Sequence, residues 1–231
     1  MKKCLILPTE QWSVGDTFFS EKFVPSSKLK EIFFGLMTQS PQKFDRHVTD
    51  ELTNRLFPPF RCSQAGSDLM SRSIKRGRDH GLPSYAAFYE AFKIGSEGTE
   101  MDCWNKKPET ISQANWDLLQ RIYLHPHHID LIVGGFAEQS FGGGILGKTF
   151  RHIIGKQFEA LRSGDRFFFT HTGNMNNEEL AQIRKRTLAD ILCDNTDLQR
   201  VKKNMFKRKI PMQCNTSTSL DINKFQVKST S

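Results

Sequence analysis

Gly66-Ser67-Asp68-Leu69-Met70-Ser71-Arg72-Ser73-Ile74-Lys75-Arg76-Gly77-Arg78-Asp79-His80-Gly81-Leu82-Pro83-Ser84-Tyr85 is the stretch on which the reading of this chain turns. Ser67 or Asp68 can accept hydrogen bonds from the unpaired N–H groups that open a helix, and no residue from Leu69 to Arg76 breaks one. Leu69, Ser73 and Arg76 fall at i, i+4 and i+7, so they share a face. Along the axis that face offers an apolar contact, a hydroxyl and a cation. Such an array suits a flat apolar ligand with an anionic edge, because a guanidinium holds a carboxylate with two parallel N–H bonds. The same residues also describe a capped amphipathic helix with a solvated basic end. Gly77 and Gly81 with Pro83 predict a helix end and a turn, after which Ser84 is placed to cap a second helix running through Ala91.

Further segments follow in a telling order. They are Ile129-Asp130-Leu131-Ile132-Val133-Gly134-Gly135-Phe136-Ala137-Glu138, then 153–158 to 164–167, then 188–195, with Pro41-Gln42-Lys43-Phe44-Asp45-Arg46 and Leu56-Phe57 upstream. Taken together, from about Phe18 to Asn215, the chain resembles the animal haem peroxidases, and 66–85 is similar to their proximal-side haem helix. The resemblance implies a mainly α fold, the C-terminal portion of the peroxidase helical domain. It divides the chain into an unrecognised segment 1–17, a partial haem peroxidase domain 18–215 and a tail 216–231. It implies haem as cofactor and an oxidoreductase activity, the peroxide-dependent oxidation of small organic or halide substrates, of the kind tied to oxidative stress. By the same resemblance Arg76 is the haem-propionate arginine and Leu69 a haem contact. Ser73 stands where the family has an asparagine that accepts from the axial imidazole N–H; serine is shorter but still an acceptor. Arg72 departs from an apolar position.

The resemblance also says what to expect of catalysis. Peroxide cleavage needs a group that moves a proton between the two oxygens, a cation for the developing charge and an axial ligand for iron. In the family the distal His and Arg, the haem-linking carboxylates, the calcium loop and the proximal His all precede the segment seen here. The first histidine of this chain is His47, in Lys43-Phe44-Asp45-Arg46-His47, and none of its seven histidines follows an aromatic-Gly pair. The expectation is a truncated record of a peroxidase, with no catalytic residue, no metal ligand and no axial ligand, inactive alone. The alternative is a non-catalytic remnant or a basic extracellular binding module.

Cysteines and charge bear on partners and compartment. By resemblance Cys193 and Cys214 form a disulfide, and a second family disulfide is replaced by Lys93 and His152; Cys4, Cys62 and Cys103 have no assigned partners. Asn215-Thr216-Ser217 is a glycosylation acceptor in a secreted chain. The 33 Lys and Arg outnumber 25 Asp and Glu, giving +8, and the run Lys202-Lys203-Asn204-Met205-Phe206-Lys207-Arg208-Lys209 could attract an anionic matrix. A solvated helix end and loop is the plainer reading of that run, and nucleic acid is not favoured because no aromatic stacking array accompanies it. The run Cys4-Leu5-Ile6-Leu7 after Lys2-Lys3 stops at Pro8, short of the ~7–15 residues of a signal h-region. No stretch approaches the ~18 apolar residues of a membrane span. An extracellular location is therefore expected from the resemblance alone.

Apolar spacing predicts helices at 28–38, 43–57, 69–76, 84–91, 112–124, 146–163 and 177–193, the last opening at Asn176 or Asn177. A short strand is expected at 166–170, a break at Pro58-Pro59 and a polar surface insertion at 95–108. His125-Pro126-His127-His128 could bind zinc or copper, but the proline and the lack of further ligands in spacing favour a loop.

Overall fold

The computed structural model describes residues 14–17, 29–57, 66–94, 100–206, 211–214 and 219–225. The fold is mainly helical, as expected. In chain order the helices are α1 (Val14–Thr17), α2 (Leu29–Thr38), α3 (Asp50–Thr53), α4 (Leu69–Asp79), α5 (Tyr85–Ala91), α6 (Gln113–Ile122), α7 (Leu131–Ala137), α8 (Lys148–Gly164), α9 (Asn177–Lys185) and α10 (Leu188–Asn195). Strands β1 (Arg200–Lys202) and β2 (Pro211–Gln213) pair antiparallel, with Val201 opposite Met212. The described residues of 1–21 and 43–158 form one unit, and those of 22–42 and 159–231 a second.

Side-chain caps explain the starts of α4, α5 and α6 in the first unit. The Asp68 carboxylate accepts from Met70 N and Ser71 N, while Ser84 and Ser112 accept from Ala87 N and Asn115 N, each satisfying donors that have no partner within the helix. The core is Tyr85, Ala86, Tyr89, Met101, Ile111, Trp116, Leu119, Ile129 and Ala137. Helix α7, not anticipated as a helix, enters this core because two glycines let rings lie on it. A Cβ on Gly134 would stand 2.1 Å from Tyr85 Cγ, and one on Gly135 2.4 Å from the Phe150 ring. Beneath them the buried Glu138 carboxylate accepts from Tyr85 Oη at 2.9 Å, Thr149 N at 2.9 Å and Thr149 Oγ1 at 2.7 Å. Those bonds satisfy a charge that would otherwise be costly to bury, and they cap the start of α8.

The second unit is built around Met37, Ala189, Leu192, Leu198 and Val201. Helix α9 opens with a capping box between Asn176 and Glu179, and α10 with one between Thr187 and Asp190. Cys193, in α10, is bonded to Cys214, just after β2, with Cα atoms 5.3 Å apart.

Several expectations are corrected. The helix expected at 43–57 is reduced to α3: Asp45 takes the His47 N–H at 2.8 Å, and Leu56 leaves to form a β-bridge with Ser67. That crossing is close enough that a Cβ on Gly66 would lie 2.5 Å from the Arg55 carbonyl carbon. Helix α4 does not end at Arg76 but runs through Gly77 to Asp79. Its stop is Gly81, at φ +64, with Leu82 N bonded to Gly77 O and Gly81 N to Arg78 O, the paired closure in which a left-handed glycine satisfies the last carbonyls. The helix expected at 177–193 is two, because Thr187 and Asp190 cap each other and start a new one. Residues 166–170 are turns, organised by Asp165 accepting from Phe167 N, and the strands lie at β1 and β2 instead. Within 100–108, Met101 and Pro108 are fully buried, so this part is not a surface insertion. Pro58-Pro59 lies outside the described residues.

Candidate functional site

Helix α4, the Gly81 turn, the start of α5 and the start of α7 converge in the first unit around a cavity of about 860 Å³. Convergence begins with the backbone: Tyr85 N donates to Ile129 O at 2.8 Å, and Ser84 bridges Asp130. The step from α4 into α5 is thereby held against the step into α7. Most of the wall area is apolar, from Ile74, Leu82, Pro83, Ile129, Leu131 and Ile132, while the polar groups are Ser73, Ser84, Tyr123, Asp130, two arginines and three histidines. A cleft of several hundred Å³ with that balance is the usual seat of a small ligand or cofactor.

Ser73 and Arg76 both line the cavity; Leu69, a turn earlier on α4, is not in its wall. Two arginines close together have opposite situations. Arg78 donates Nε to Asp130 Oδ1 at 2.8 Å and Nη2 to Asp130 Oδ2 at 2.7 Å, and Tyr123 Oη donates to Asp130 Oδ2 at 2.8 Å. The Arg78 bond, helped by that of Tyr123, holds the Asp130 carboxyl below its ordinary value. Burial first, then the bond to Asp130, pushes the Tyr123 hydroxyl up to about 12. Arg76 is exposed and, among the described residues, makes no ion pair. One cation is thus consumed by the fold while its neighbour stands open to an external anion.

The histidines take separate tasks. His80 ends α4, its N–H bonded to Arg76 O, and it lines the cavity together with His127 and His128. Pro126–His128 is a single 3-10 turn whose entry residue, His125, accepts from His127 N on Nδ1. His125 Nε2 therefore carries the proton donated to Asp102 O at 2.7 Å. His127 Nε2 stands 3.4 Å from Glu90. Among the described residues no three His, Cys, Asp or Glu side chains come together as a metal site. His47 is exposed. Of Lys93 and His152, where the resemblance removes a disulfide, the His152 ring lies 5.2 Å from that of Phe92, the residue before Lys93. Asn215 and 207–209 lie outside the described residues.

Spacing along α4 identifies Ser73 and Arg76, but not Arg78, Tyr123 or Asp130 as parts of the cavity wall. Their only local signal is Asp130 immediately before an apolar run, a helix-start position.

Comparison with known proteins bears on the family. The family model described as animal haem peroxidase matches residues 2–206. Heme peroxidase 2 of Caenorhabditis elegans is 34% identical over 228 residues, covering 94% of this chain and 31% of that protein. Thyroid peroxidase of Canis lupus familiaris is 35% identical over 199 residues, 83% of this chain and 20% of that protein. Among solved structures, peroxidase A from Dictyostelium discoideum matches with a TM-score of 0.65 and 27% identity, over 80% of this chain and 35% of that chain. The chain thus spans about a third or less of the length of these relatives. On the matched length and identity, the chain belongs to the animal haem peroxidase family.

Proposed function

We propose that this chain forms the wall of a haem site that receives the carboxylate edge of the porphyrin, in a peroxidase that uses hydrogen peroxide to oxidise small organic or halide substrates. The observation that carries it is Arg76, an arginine without an ion pair among the described residues, on the wall of a largely apolar cavity of about 860 Å³. The residues fit the group at its edge and on one face. Arg76 offers a planar fork for a carboxylate, Ile74, Leu82 and Ile132 offer apolar contact, and Ser73 a hydroxyl. When bound, haem supplies the peroxide chemistry; the chain's own part is to bind, orient and shield. Leu69 extends the α4 face beyond the cavity wall.

In this reading none of the seven histidines serves as axial ligand or distal acid–base group, so catalysis needs residues beyond those of this chain. His80, His127 and His128 reach the cavity, but His80 ends a helix in an exposed turn and His127 faces Glu90. Titrating the purified chain with hemin tests the proposal. The expected result is weak uptake, reduced by Arg76→Gln, with no sharp Soret band and no peroxide turnover. A sharp Soret complex that survives gel filtration and turns over would mean that a histidine such as His47 or His80 ligates iron and that the chain is an enzyme by itself. We place the protein in an oxidising extracellular setting, a reading supported by the Cys193–Cys214 bond.

A second reading, a basic binding module for anionic matrix, is favoured by the +8 charge and by Lys203 and Phe206 lying exposed in the described part of the basic run. Retention on heparin that is lost on Lys202→Gln/Lys203→Gln, with hemin uptake absent, would select it.

A further inference from the structure

The Asp130 carboxylate is the meeting point of four elements. It receives Arg78 from the last turn of α4 through two parallel bonds of 2.8 and 2.7 Å, and Tyr123 from the end of α6 at 2.8 Å. Its own residue heads α7 and bridges Ser84, the cap of α5. The Asp130 side chain is 12% exposed and that of Arg78 64%. A half-exposed ion pair of this kind contributes little to stability, yet a guanidinium bonded through both Nε and Nη2 accepts only one orientation of its partner. Arg78 also lies two residues, about 200° of helix rotation, from Arg76, so fixing it sets the rotation of the turn without engaging Arg76.

We propose that Arg78, Asp130 and Tyr123 form a positioning clamp for the cavity, holding the last turn of α4 against α7 so that the Arg76 guanidinium is presented to a carboxylate-bearing ligand. None of the three need touch the ligand's carboxylate; they act through Arg76. The inference rests on the reading of the cavity as the seat of a porphyrin edge. It goes beyond that reading in assigning affinity to a pair of residues 52 positions apart.

The test is a double-mutant cycle on the full chain, with binding followed by quenching of tryptophan emission. Hemin is compared with hemin dimethyl ester, in which both carboxylates are blocked. Arg78→Lys keeps the charge but loses the two-bond geometry. It is expected to weaken hemin binding roughly tenfold, the usual scale for removing a partner that orients a ligand-holding group, while binding of the ester is unchanged. In an Arg76→Gln background the same substitution should have no further effect. Tyr123→Phe, which removes a single hydrogen bond, should give a smaller loss with the same selectivity, and serves if Arg78→Lys does not fold. Equal losses for hemin and its ester, or additive losses in the cycle, overturn the clamp while leaving the haem-edge reading intact. A wild-type chain that takes up neither compound overturns both.

Discussion

The wall of the cavity and the β-hairpin region of the second unit each join stretches that are distant in sequence, and they do so by different chemistry. In the first, Arg78 reaches across 52 residues to Asp130 through charge-assisted hydrogen bonds, and glycine lets α7 lie against Tyr85. In the second, Cys193 reaches across 21 residues to Cys214 through a covalent bond. A disulfide acts largely by restricting the unfolded chain. A two-bond ion pair adds little stability but selects one orientation. If Arg76 holds a carboxylate as proposed, the region around it is joined by a contact that sets orientation, and the second unit by a cross-link.

The contrast is broken most severely at the disulfide. Cys193→Ser with Cys214→Ser, or reduction, should cost about 3 kcal/mol from lost loop restriction. The loss should appear as faster proteolysis within 165–225, with the emission of Trp104 and Trp116 little changed. If reduction disturbs the tryptophans first, the covalent tie is supporting the cavity wall as well.

Next in size is Gly134→Ala, which drives a methyl into the Tyr85 ring and should destabilise the first unit by about 1–3 kcal/mol, seen as a lower melting midpoint in near-ultraviolet circular dichroism. Gly155→Ala, in α8 with nothing within 4 Å of an added Cβ, should instead stabilise by about 0.5–1 kcal/mol. The same substitution with opposite signs separates close helix packing from mere helix propensity; a gain at both positions would mean that α7 is not held by its contact with Tyr85.

Asp130→Asn sharpens the comparison by pH. Because the carboxyl lies below its ordinary value of 3.8 in the folded chain, its contribution to stability is complete above that value. It is lost as pH falls through the lower folded value. The variant should melt about 2–4 °C lower at neutral pH, and its melting midpoint should fall less steeply with acid below about pH 4. Equal acid slopes would show that Asp130 is not charged in its pair.

The smallest effect is expected in the second unit at Lys30 and Asp197, 2.7 Å apart with side chains 47% and 76% exposed. Asp197→Asn should leave the urea midpoint unmoved, since exposed pairs of this kind rarely contribute measurably. A shift that vanishes in high salt would show that the second unit also depends on charge.

Much of the first unit's local structure was legible in the sequence. The start of α5 followed from Ser84 as its cap, that of α6 from apolar spacing over 112–124, and the α4 face from the spacing of Ser73 and Arg76. Errors arose where a residue obeyed a more distant partner. Leu56 has the spacing of a helix but pairs with Ser67. Gly77, read as a stop, is carried within α4 because Gly81 supplies the left-handed turn four residues later. Thr187 interrupts what periodicity presents as one helix, because its cap with Asp190 is a local alternative to continuing.

The residues themselves carried the helical class, the caps, the family resemblance with its cysteine pair, and the two α4 side chains that reach the cavity. Each of these depends on dihedral preference, on i, i+4 spacing, or on motifs read in order. Only the tertiary structure decided that Arg78 is spent on Asp130 while Arg76 is not, that Tyr123 joins them, and that α7 closes against Tyr85 over a bare glycine. Those outcomes depend on which distant groups packing brings within about 3 Å, the reach of a hydrogen bond, and no local pattern in the chain encodes that distance.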